Sequence, residues 1–232
     1  MTQLLQPRPA TADTDWPGSR TAWRWAGGLG LAHVLLLLGA FSIEGVGADS
    51  ATFSTATKVY GAFSPDRVRY GSFVEAMSFV LLVPALVLLA RLLGRKETGR
   101  VAGQTMVGLG VAYVGATLAI GFPPLNVAVS AAHHGADPAL VASLDLLRND
   151  GFILQVGLLF AVTLALGVAA LSERRLTRWA GWGGIGVGAL GLVATPFAHD
   201  GANLVWMAWW VGLCVLCLRG GPREPADHAP ID

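Results

Sequence analysis

Glu75 is the residue whose type and position most invite chemistry. It sits in the apolar run Gly71 to Ala90, GSFVEAMSFVLLVPALVLLA, about one helical turn inside its start. A carboxyl at that depth either stays hydrated at the mouth of a cavity or takes up a proton that it can donate. Ser78, three residues on, shares its helical face. His199 and Asp200 are adjacent in what reads as a tight turn, so Glu75, His199 and Asp200 form the candidate acid-base set. His133, His134 and His199 are the only candidates for a metal, since histidine plus carboxylate is the donor set of a catalytic zinc. The spacing argues against assigning one. There is no H-x-x-x-H, H-E-x-x-H or paired C-x-x-C, and two adjacent histidines in a Gly/Ala loop read more simply as solvated. No P-loop, G-x-S-x-G or dinucleotide fingerprint occurs, so no cofactor is expected.

A second group of polar or aromatic residues is embedded in apolar stretches and suits binding better than catalysis. His33 falls near the middle of one run, Tyr113 within another, and Trp206, Trp209 and Trp210 in the last. An ionisable group at membrane depth is costly and faces protein. A neighbouring helix carbonyl would satisfy a lone histidine such as His33 structurally. The tryptophans read most simply as an interfacial belt, with stacking on a lipid or flat ligand as the sharper alternative. His33, Glu75, Ser78, Tyr113, Trp206 and Trp210 are the candidate ligand-binding residues.

The elements that must position these side chains are membrane helices. The chain is 53% hydrophobic and 13% charged, against about 25% charged in a soluble domain. Apolar runs over about 23–43, 71–90, 101–121, 151–171, 179–195 and 203–218 each suit a bilayer core of about 30 Å. The fold class expected is therefore all-α, a polytopic bundle of six spans over 22–219. Residues 1–21 and 220–232 read as polar cytoplasmic tails. All basic residues except Lys58, Arg67, Arg69 and Arg148 fall on one side of this topology. That places both termini in the cytoplasm and the protein in a bacterial inner membrane. A cleaved signal peptide ending near Val46-Gly47-Ala48 is the competing reading of the first run.

Within this frame, Ser64-Pro65 and Asp137-Pro138 are helix starts, Phe122-Pro123-Pro124 a stop, and Asn149-Asp150-Gly151 a bend. Thr195-Pro196 ends the fifth helix, whose many glycines suit a central place in the bundle. Pro84 should kink the second. Cys214 and Cys217 read as small packing residues rather than a redox pair. Displacing the chain by 78 residues lays Arg100–Thr117 on Arg178–Thr195 with seven identities in 18, including Gly108/Gly186 and Gly110/Gly188. Duplication of a two-helix hairpin and shared composition remain alternative accounts of that match.

The outer segment before the second span, then DPALVASLD, the basic turn LSERRLTRWAGWGGIGVGALGL and the Trp-rich last helix resemble uncharacterised six-helix membrane proteins of actinobacteria, classed as domains of unknown function. That resemblance brings no catalytic residue with it. Three function classes follow from the residues. The first is a non-enzymatic membrane module that binds a lipid, a small apolar ligand or a partner helix. The second is an outer-facing enzyme using Glu75 with His199 and Asp200, and the third a small dimeric transporter. Membrane lipids and a second copy or partner membrane protein are the expected partners. A net charge of +1 gives no nucleic-acid footprint.

Overall fold

Long uncharged runs rich in Leu, Val, Ala and Gly satisfy their backbone hydrogen bonds internally, and in the computed structural model of the chain they form helices throughout. The structure describes residues 20–45, 54–173 and 176–220, apart from the side chains of 198–202. Its elements are α1 (Arg20–Glu44), α2 (Ala56–Gly61), α3 (Pro65–Leu92), α4 (Glu97–Ala116), α5 (Phe122–His133), α6 (Pro138–Glu173) and α7 (Arg178–Leu218), with a π-helical turn, Thr117–Gly121, joining α4 to α5. No strand is present among the described residues. Five helices are long and apolar enough to cross a membrane, and Asn203–Leu218 is a shorter apolar helix.

The helices pack as a ring. α1 lies on α3, α3 on α4, α4 on α6, α6 on α7 and α7 back on α1. α7 closes the ring because it folds back on itself. The Trp209 Nε1–H donates to the Ala180 carbonyl, 29 residues earlier, at 3.2 Å. A Cβ on Gly212 would lie 3.2 Å from Trp179. A straight helix would hold such residues about 45 Å apart, so α7 consists of two antiparallel arms, Arg178–Phe197 and Asn203–Leu218. The chain reverses between these arms, after Thr195-Pro196, where the sequence places a helix end.

Glycine permits the closest approaches. A Cβ on Gly167 would meet the Ile185 nitrogen at 2.5 Å and Gly184 at 2.8 Å, so α6 and the first arm of α7 touch backbone to backbone. Gly27 and Gly30 of α1 give the same clearance to Cys214, Cys217 and Trp210. The two buried cysteines are thus packing residues between α1 and α7. The Gly-rich first arm packs closely through Gly181, Gly184, Gly188 and Gly191 on one side, with Trp182, Leu190, Val193 and Phe197 exposed.

Two further expectations are corrected. Phe122-Pro123-Pro124 does not stop the chain, because the π turn widens the helix just before it and the prolines occupy the first positions of α5, where no backbone N–H is needed. Asn149-Asp150-Gly151 makes no bend, and α6 runs unbroken for 36 residues. At about 54 Å it is longer than a bilayer core. The excess lengths of α3, α5 and α6 join α2 in a second, smaller core of Tyr60, Val68, Leu125, Val129 and Val141. This cap lies at one end of the ring. At the other, the basic end, Glu173 accepts a hydrogen bond from the Lys96 backbone N–H and ties α6 to the start of α4.

Candidate functional site

Among the described residues, polar and aromatic side chains of α1, α3, α4 and α7 meet in one layer of the ring interior. His33, in the middle of α1, is fully buried. Its Nδ1 lies 2.9 Å from the Ser78 carbonyl of α3. A carbonyl only accepts, so Nδ1 carries the proton and, in the neutral ring, Nε2 is left as an acceptor. That Nε2 has no partner among the described residues. Ser78 Oγ–H in turn donates to the Glu75 carbonyl at 2.6 Å, one turn back along α3.

Phe79 is the hub of the layer. Its ring lies 5.3 Å from His33, 5.4 Å from Tyr113 of α4 and 6.0 Å from Phe122 of α5. Trp206 approaches His33 edge-on at 6.5 Å and stacks on Trp210 at 5.8 Å. Trp210 is fixed by donating from Nε1 to the Gly30 carbonyl at 3.1 Å. The Trp206 Nε1–H is buried and, like His33 Nε2, has no partner among the described residues. Glu75 is half-buried on the same helix, within electrostatic reach of Tyr113 and Glu44. Five of the six ligand candidates from the sequence are thus joined by contacts in one layer, drawn from α1, α3, α4 and α7, and Glu75 lies one turn from Ser78 on α3.

The tryptophans are not a belt. Trp206, Trp209 and Trp210 are buried, because the second arm of α7 turns its aromatic face into the ring. Among the described residues Trp25, Trp179 and Trp182 are the exposed ones, and all three stand near the basic end. His133 Nε2–H donates to the Phe63 carbonyl and His134 Nδ1–H to the Ser130 carbonyl, each at 2.7 Å. Both histidines thus tie down the exposed turn after α5. Among the described residues no group of three or more His, Cys, Asp or Glu is close enough to hold a metal. The side chains of His199 and Asp200 lie outside the described residues.

Polar groups outside the candidate set surround the layer. The Glu44 carboxylate accepts from Ser72 Oγ at 3.2 Å, and Asn126 Nδ2 donates to Ser72 Oγ at 3.0 Å and to the Phe122 carbonyl at 3.1 Å. Gly71 is required there, since a Cβ would overlap the Glu44 side chain. Gln155 of α6 faces the π turn, its Nε2 unpaired among the described residues and 3.2 Å from where a Cβ on Gly121 would stand. In the cap, Tyr60 donates to Asp145, which also pairs with Arg148 at 3.4 Å. Burial first, then that hydrogen bond to Asp145, raises the Tyr60 pKa above its ordinary value. The Glu44–Ser72, Ser72–Asn126 and Tyr60–Asp145 contacts join residues 28, 54 and 85 positions apart, so no local pattern announces them.

A ring of membrane-length apolar helices around one buried polar layer is the architecture of an integral membrane protein. The chain belongs to the family described as Domain of unknown function (DUF4386), whose model matches residues 24–219. No curated protein and no solved structure matches it.

Proposed function

We propose that this protein is a non-enzymatic membrane module that crosses the bilayer six times and binds a small amphiphile in the layer formed by His33, Glu75, Ser78, Tyr113 and Trp206. The observation that carries the reading is the pairing of vacancies. Among the described residues Trp206 Nε1–H has no acceptor and His33 Nε2 no donor, in adjacent rings of one aromatic cluster. Leaving a buried polar group unmade costs about 1–3 kcal/mol. A single group that accepts and donates, such as an alcohol or an amide, satisfies both. Aromatic walls and a neighbouring carboxyl then favour a ligand with an apolar body and one hydroxyl-like head.

Six crossings follow from counting the two arms of α7 separately. The exposed Leu35, Leu38, Phe73, Val80, Val111, Leu190 and Val193 then face lipid. The basic end faces the cytoplasm of a bacterial cell, with both termini there. The duplication gains support from equivalent contacts. A Cβ on Gly110 would meet Leu86 and a Cβ on Gly188 would meet Leu164, and the two pairs are related by the same displacement of 78 residues. A binding module is favoured over a transporter because Leu82, Leu86, Met106, Phe160 and Leu166 fill the ring interior.

Native mass spectrometry of the protein extracted from its own membranes tests the reading. The wild type should retain a bound organic molecule that His33→Leu and Trp206→Phe each release. Retention of the same species by both variants would overturn it.

A further inference from the structure

A second site is suggested at the opposite end of the ring. There α1, α3 and α4 leave a cleft of about 500 Å³. Ala22, Leu88, Ala90 and Leu92 give it an apolar lining, and the exposed Arg91, Arg100 and Gln104 complete it. Arg91 ends α3 and Arg100 opens α4, so the hairpin between them brings two cations to one opening. Both are exposed, and neither is in an ion pair among the described residues. Glu173, at the same end, is held by the Lys96 backbone N–H, and no ion pair joins Glu97 to Arg100 among the described residues.

Two guanidiniums at the mouth of an apolar cleft repel each other unless an anion lies between them. Their planar forks match phosphate oxygens, and the Gln104 amide adds a donor for an ester or glycerol oxygen. The apolar lining is suited to the first carbons of an acyl chain and has no use for a free inorganic anion. Arg24, Arg95 and Lys96 belong to the same end of the bundle, where exposed Trp25 marks an interfacial depth. We infer that this cleft holds one anionic glycerophospholipid, its phosphate between Arg91 and Arg100 and its chain on Leu88 and Ala90.

The full chain in non-ionic detergent, titrated separately with phosphatidylglycerol and phosphatidylcholine and read by native mass spectrometry, tests this. Basic residues at a membrane surface contribute about 1 kcal/mol each toward anionic lipid, so R91Q/R100Q should weaken phosphatidylglycerol binding about 30-fold and leave phosphatidylcholine unchanged. R91K/R100K keeps both charges without the planar forks and should recover part of the loss, which separates lost charge from damaged folding. K58Q/R69Q removes two cations at the cap end and should change neither lipid. Equal loss in K58Q/R69Q and R91Q/R100Q, or no preference for phosphatidylglycerol in the wild type, would overturn the site. Displacement of the lipid by millimolar inorganic phosphate would show a free-anion site and overturn the lipid assignment.

Discussion

His33→Leu separates an unpaired acceptor from a satisfied one. Leucine has about the volume of histidine, so the substitution removes polar atoms without opening a large cavity. It deletes the 2.9 Å bond from Nδ1–H to the Ser78 carbonyl, a bond worth about 0.5–1.5 kcal/mol. It also deletes the unpaired Nε2, whose burial costs about 1–3 kcal/mol. The Ser78 carbonyl is within α3 and keeps its helical partner position, so its own loss is small. In ligand-free, delipidated protein the two changes nearly cancel, and the variant should fall between neutral and about 2 kcal/mol more stable. Reversible unfolding in mixed micelles measures this. With ligand bound the sign should reverse, because the wild type alone gains the new hydrogen bond. A loss of more than about 2 kcal/mol in the ligand-free variant would mean that Nε2 already has a partner, and would refute the reasoning.

Glu75→Gln should leave unfolding free energy within about 1 kcal/mol, since the amide is isosteric, and should weaken ligand retention in the native-mass assay. Gly167→Ala should destabilise by more than about 2 kcal/mol, because its Cβ would press on the backbone of α7, whereas Gly157→Ala and Gly186→Ala meet nothing and should be neutral or gain up to about 1 kcal/mol. Tyr60 has a raised pKa in the folded cap, so its contribution is fully present below the unfolded value of about 10 and is lost as pH climbs toward the folded one. Limited proteolysis between pH 8 and 11 should show the cap loosening at the alkaline end, and Tyr60→Phe should remove that dependence at a cost of about 1.5–3 kcal/mol. Cysteines at positions 58 and 134 should label from one face of the membrane and a cysteine at 97 from the other. Labelling of 58 and 97 from the same face would contradict the crossings.

Much of the fold is legible in the sequence because each membrane-length helix announces itself by composition alone. The reading fails where a local signal has two structural meanings. Phe122-Pro123-Pro124 ends a helix or begins one, and only the π turn before it decides for continuation. A tryptophan triplet marks an interface or a core face, and the fold-back of α7 decides for the core. In the candidate layer, His33, Glu75, Ser78 and Tyr113 stand out as polar groups in apolar runs. That Phe79 gathers them is a tertiary fact. Glu44, Asn126 and Gln155 are not singled out as site residues because they sit near the ends of apolar runs, where a polar residue is unremarkable until burial is known.

A cryo-EM map of the protein in lipid nanodiscs, resolved well enough to show ordered water, tests the central claim most directly. Density larger than a water molecule should run from Trp206 Nε1 to His33 Nε2 and extend toward Glu75 and Tyr113. A single water bridging the two nitrogens, with the surrounding rings packed against it, would contradict a ligand site and leave the layer as internal hydration.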